Sequence, residues 1–181
     1  MATTRWIALL RGVNVGGARR LPMAELAALV AELGGTDVKT VLASGNVVFS
    51  APARPDPGPA LEAALARFLG GPARVAMLKA PELAALLAAP PLANVATGAA
   101  RHLYALALDA AARAALAPLA LREWAPERFA LDARGAWCWL PAGVADSALM
   151  AEVERVTRRG VTTRNEATLR KVLAAALAAE P

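Results

Sequence analysis

Cysteine, histidine and aromatic residues are scarce in this chain, and each scarcity removes a class of function. One Cys (Cys138) and one His (His102) stand among 181 residues. A lone cysteine excludes an internal disulfide and the secreted frameworks built on them. One His with one Cys also excludes an ordinary tetrahedral zinc site. Long apolar runs are missing too, since the stretch 103–121 is broken by Asp109, Arg113 and Pro118. That is short of the roughly 20 residues a spanning helix needs, so a membrane span is excluded. The mean hydropathy of +0.40 comes from alanine, about a quarter of the chain, not from greasy segments. The opening residues run into a Gly-rich segment with no small-residue cleavage site, and a cytoplasmic location is expected.

Concentrated charge is also absent. The net charge is +5, but residues 1–90 hold nine Lys or Arg against six Asp or Glu, and the remainder eleven against nine. The surplus is spread and does not form the basic block of a nucleic-acid arm. Tight groups occur at Arg19 and Arg20 and at Arg158, Arg159 and Arg164.

What remains is an 18.6 kDa chain with enough apolar material for a real core. Residues 6–10 form a continuous apolar run of buried-strand type. Residues 11–21 are a Gly-rich loop, after which Pro22 is expected as the first helical residue. Met23, Leu26, Leu29, Val30 and Leu33 recur at helical spacing until Gly34. Residues 38–43 and 46–50 read as a hairpin about a tight Ser44-Gly45 turn. A second helix ends at Gly70-Gly71, and residues 75–78 are a short fourth strand. The order is βαββαβ. In its right-handed form the strand after the first helix runs parallel to the first strand. Arg11, Gly12, Asn14, Gly16 and Gly17 are then expected at the same sheet end as Ser44, Gly45 and Asn46.

Residues 88–100, with Pro90, Pro91 and Gly98, are the best boundary. A ferredoxin-like first half, 1–90, and an α+β second half, 91–181, are expected. In the second half residues 101–108 alternate as a strand, and Asp109 is placed to cap a short Ala-rich helix. Residues 119–124 are read as a further strand. Residues 128–140 are read as a hairpin with Gly135 left-handed in its loop, pairing Leu131 with Trp137 and Phe129 with Trp139. A helix starts at Asp146 or Ser147, and Thr163 with Glu166 has the spacing of a capping box for the terminal helix. His102 is expected at the surface or its boundary, and Cys138 as a quiet strand thiol. Strands that fail to alternate have both faces covered, so the two halves are expected to pack into one compact unit.

Successive N–H groups in a Gly-rich turn before a helix form a concavity for anions, and nearby guanidinium groups add forked donors. Residues 11–17 with Arg19 and Arg20 have that composition, without the dinucleotide fingerprint or the ending of a phosphate-binding loop. Neither loop holds a His, Cys, Asp or Glu to act as acid or base. The sheet lacks the alternating basic and aromatic pattern of an RNA-binding strand, with only Trp6 and Phe49 on its central strands.

Three segments together, Ile7-Ala8-Leu9-Leu10-Arg11-Gly12-Val13-Asn14-Val15-Gly16-Gly17, Leu21-Pro22-Met23-Ala24-Glu25-Leu26 and Ser44-Gly45-Asn46-Val47-Val48-Phe49, resemble the bacterial domain-of-unknown-function family 1697 (DUF1697). Pro141-Ala142-Gly143, Ser147-Ala148-Leu149 and Thr162-Thr163-Arg164-Asn165 look like its second block. The chain departs there, with Ala148 in place of a usual Lys and Glu166-Ala167 in place of an aromatic and a polar residue. The resemblance implies two ferredoxin-like halves and lends no activity. The expected function is therefore binding of a small anionic or phosphate-bearing ligand by Arg11, Gly12, Asn14, Gly16, Gly17, Ser44, Gly45 and Asn46, helped by Arg164 and Asn165. No cofactor or metal is expected. The alternatives are an enzyme using Ser44 or Asn46, and a nucleic-acid or protein interaction module using Arg158 and Arg159.

Overall fold

The computed structural model describes residues 3–14, 20–95 and 102–178. The chain divides into two units, Met1–Ala85 with Arg170–Pro181, and Leu86–Leu169. The first unit runs β1 (Thr3–Leu10), α1 (Met23–Glu32), β2 (Thr36–Thr40), β3 (Asn46–Pro52), α2 (Gly58–Leu69) and β4 (Val75–Lys79), followed by α3 (Ala80–Ala88). Its sheet order is β2-β3-β1-β4, with β1 antiparallel to both neighbours and Trp6 opposite Phe49. Trp6, Ala8, Leu10, Val47 and Met77 pack with Leu26 and Val30 of α1 and Leu61 and Leu65 of α2. The residues between them, Ile7, Leu9, Val48 and Leu78, are buried as well. Burial on both faces is why β1 and β3 read as unbroken apolar runs.

The second unit repeats the plan: β5 (His102–Ala107), α4 (Ala110–Leu116), a 3-10 turn (Ala117–Leu121), β6 (Arg128–Leu131), β7 (Gly135–Trp139), α5 (Ala148–Val156) and β8 (Val161–Asn165). α6 (Glu166–Leu177) follows. The sheet order β6-β7-β5-β8 matches the first, strand for strand. Leu103, Ala105, Cys138 and Val161 face Leu116, Leu149 and Val153 in its core. Both sheets are antiparallel and packed with helices, the expected α+β class. Among the described residues no helix is long and apolar enough to cross a membrane.

Several local expectations need correction. Residues 119–124 form no strand: Pro118 enters a 3-10 turn that ends with Leu121 90% exposed. Gly135 opens β7 and is not left-handed, so the second hairpin pairs Leu131 with Ala136 and Phe129 with Cys138, one residue from the expected register. A slip of one residue exchanges faces. Phe129 and Leu131 thus join the helix-side core, while Trp137 lies with Tyr104 on the opposite face, ring centroids 4.8 Å apart. The first hairpin turn is wider than expected: β2 stops at Thr40, and Val41 N donates to Asn46 O at 2.9 Å across residues 41–45. β8 runs on through Asn165, so Thr163 is a strand residue. Asn165 Oδ1 caps α6 by accepting from Thr168 N at 2.7 Å. Finally, His102 is buried at 5% exposure, with Nε2 3.3 Å from Val95 O.

Candidate functional site

Topology brings two loops together at one end of the first sheet. Leu10 N donates to Gly45 O at 2.8 Å, and Arg11 N donates to Arg74 O at 2.9 Å. The loops after β1 and β2 and the segment before β4 therefore share a rim. Gly12, Asn14, Leu42 and Gly45 all have φ between +56° and +76° there. At Gly45 the requirement is double: a Cβ would lie 2.4 Å from Val13 Cγ2 as well as in a left-handed backbone. Val13 is buried beneath it and anchors the first loop to the core.

The two asparagines hold this rim in shape. Asn14 Nδ2 donates to Leu21 O at 2.9 Å and Ala43 O at 2.7 Å, and its Oδ1 accepts from Leu21 N at 2.8 Å. One carboxamide thus closes the Gly-rich loop at its far end and ties it to the β2–β3 loop. Asn46 is fully buried, and its Nδ2 donates to Val41 O at 2.7 Å and Ser44 Oγ at 3.0 Å. Both side chains were read from sequence as ligand donors. Their donors are spent on carbonyls and a hydroxyl of the protein.

Beside Asn14 opens a cleft of about 440 Å³, bordered by Asn14, Arg20, Leu21, Pro22, Met23 and Ala43. Pro22 is the N-cap of α1 and not its first helical residue, with ψ near 140°. Proline brings no side-chain acceptor, so the first-turn N–H groups of α1 have none from the cap. The start of α1 and the exposed Arg20 bring positive charge to the border of this cleft, and Glu25 in the first turn of α1 opposes it. Leu21, Pro22, Met23 and Ala43 are not among the residues the sequence points to. The signal available for Met23 was a helix start with no Ser, Thr, Asp or Asn before it.

Of the expected residues, Arg11, Gly12, Asn14, Ser44, Gly45 and Asn46 gather at this rim, with Arg11 half-buried and Gly12 and Ser44 exposed. Gly16, Gly17 and Arg19 lie outside the described residues. Arg164 and Asn165 belong to β8 in the second unit. Arg164 Nη1 donates to Thr162 Oγ1 at 3.1 Å and Thr163 O at 2.7 Å, and burial lowers its guanidinium to about 10. Asn165 is committed to capping α6. Among the described residues no group of three or more His, Cys, Asp or Glu is placed to hold a metal ion.

The model of a family described as "Protein of unknown function (DUF1697)" matches residues 3–137. No match is found among curated proteins. Among solved structures, the conserved bacterial protein SP0830 from Streptococcus pneumoniae superposes with a TM-score of 0.76 at 24% identity, over 97% of this chain and 99% of that one. At that identity the likeness concerns the fold.

Proposed function

The chain belongs to the DUF1697 family, and we propose that it is a binding protein whose ligand is a small anion or a phosphate-bearing molecule held at the rim of the first unit. The observation that carries this reading is the 440 Å³ cleft between Arg20 and the N-terminus of α1. A helix start without an acceptor from its cap offers several N–H groups to one anion, and a guanidinium adds forked, charge-assisted donors. The apolar sides of Leu21, Pro22 and Met23 suit the body of a molecule carrying the anionic group. The two rim loops hold no His, Cys, Asp or Glu, which favours retention of a ligand over its turnover.

Calorimetric titration of the full chain with inorganic phosphate, pyrophosphate and the nucleoside monophosphates tests it. At least one of these should bind saturably, and Arg20→Ala should weaken that binding about tenfold or more, the worth of one charge-assisted contact, with unchanged urea unfolding. The reading fails if none binds, or if Arg20→Ala binds as the parent does.

A further inference from the structure

A second cleft, of about 310 Å³, is lined within the second unit by residues 122–125 and 127–129, in the connection into β6 and its first residues. Its apolar wall is Trp124, half-buried, with Phe129 beside it. Trp124 Nε1 donates to Leu119 O at 2.9 Å, which fixes the plane of the indole, and the Arg122 guanidinium lies 4.4 Å from the ring centroid.

The charges lining this cleft are unequal in what they have left to give. Arg122 Nη1 donates to Glu152 Oε1 at 2.7 Å, and Glu152 also holds Arg155, so the Arg122 charge is used inside that network. Glu127 Oε2 accepts from Leu149 N at 2.9 Å at the start of α5, where the helix end compensates it. Arg128 differs. Its Nη1 donates to Pro126 O at 3.2 Å and Glu127 O at 2.9 Å, which locks the guanidinium by one nitrogen. The remaining side, Nε with Nη2, is the side that grips a carboxylate through two parallel bonds. Glu123 is exposed at the same cleft and brings a carboxylate that α5 does not compensate.

A preset guanidinium edge, an acidic group and the apolar side chains of Trp124 and Phe129 around one small volume match a zwitterion with an apolar side chain. We propose that this cleft binds a free α-amino acid with an aromatic or large aliphatic side chain, its carboxylate on Arg128, its ammonium toward Glu123 and its side chain against Trp124 and Phe129. A phosphate is disfavoured here, because a dianion would meet the uncompensated carboxylate of Glu123. This site is independent of the rim and stands or falls without it.

Calorimetric titration with L-phenylalanine, L-phenylalaninamide and N-acetyl-L-phenylalanine separates the three contacts. L-Phenylalanine should bind saturably. The amide, lacking the carboxylate, and the acetyl derivative, lacking the ammonium, should each bind about tenfold more weakly or worse. Arg128→Gln should weaken L-phenylalanine to the level of the amide. Glu123→Gln should weaken L-phenylalanine and leave N-acetyl-L-phenylalanine unchanged, and it keeps the question decidable if Arg128→Gln fails to fold. Absence of saturable binding by L-phenylalanine, L-tryptophan and L-leucine overturns the proposal. So does an acetyl derivative or amide that binds as tightly as the free amino acid, or parental affinity in Arg128→Gln.

Discussion

Asn14 and Asn46 show how the same residue type serves a loop or a ligand according to what lies within 3 Å of it. Asn14 makes three hydrogen bonds to backbone atoms of Leu21 and Ala43, in a left-handed conformation that asparagine tolerates better than most residues. Asn14→Ala should therefore cost about 2–3 kcal/mol, near 1 kcal/mol for each lost bond, read as a lower urea midpoint at unchanged m-value. A parental midpoint would mean that the loop is held by other contacts. Sequence alone reveals an Asn among glycines and marks the position as special, but its partners lie 7 and 29 positions away, and only the folded chain brings them into range. Cys138 was easier to read, because a lone cysteine alternating with tryptophans in a strand suggests an apolar interior. It is fully buried, and desolvation pushes its thiol up to about 12. The thiolate fraction at pH 8 is then negligible. Ellman's reagent should find no thiol in the native chain at that pH and one equivalent after unfolding in guanidinium chloride.

The elements divide by whether their signals were local. Helix caps were partly legible: Asp109 Oδ1 accepts from Ala112 N at 2.8 Å, as its type and position suggest, and of the two candidates Asp146 and Ser147 it is Ser147 whose Oγ accepts from Met150 N at 2.9 Å. Asp109→Ala should cost about 1 kcal/mol on this ground. The cap of α6 was misassigned because Thr-Arg-Asn-Glu contains two candidates, and the choice falls to Asn165 only because β8 extends to it alongside Leu103. The second hairpin was misread for a related reason. Gly135 suggests a turn, yet its lack of a side chain answers a close approach between β5 and β7, where a Cβ would sit 2.0 Å from Ala105 O. Between α5 and the segment before β6, Glu152 is held at about 2 by hydrogen bonds from Arg155 and then Arg122. Its folded value lies below the unfolded value of about 4.3. The contribution is thus present above that unfolded value and is lost as pH falls toward 2. Being at the surface, it should also weaken with salt. A carbon-detected titration should place the Glu152 midpoint near 2, and Arg155→Ala should move it up toward an ordinary glutamate. A midpoint near 4 in the parent would remove the network.

At the scale of the molecule, two sheets of identical strand order arise from sequences with no visible repeat, because each uses the same alternation of buried strand and amphipathic helix. That pattern made the βαββαβ order of the first half readable, down to the sheet end where its loops meet. It also marked α6 as amphipathic through Leu169, Val172 and Leu173, but an apolar stripe does not say which sheet receives it. In the structure the last residues, from Arg170 onward, belong with the first unit. Arg5 Nε donates to Ala176 O at 3.3 Å while pairing with Asp37, and Lys39 Nζ donates to Ala178 O at 2.9 Å. Cations from β1 and β2 thereby meet the carbonyl end of α6, where the helix dipole is negative. Val172 is fully buried and Ala176 nearly so. The first unit is therefore completed only by the end of the chain. Deleting residues 170–181 removes the burial of Val172 and leaves the half-buried Arg5 guanidinium without one of its acceptors. The loss should reach about 3 kcal/mol or more. Lys39→Ala, which removes the bond to Ala178 O and the pairing with Asp37 at the surface, should cost under about 1 kcal/mol. Urea unfolding of the two variants against the parent measures both. A truncated chain with the parental midpoint would show that the end of α6 adds nothing to the first unit.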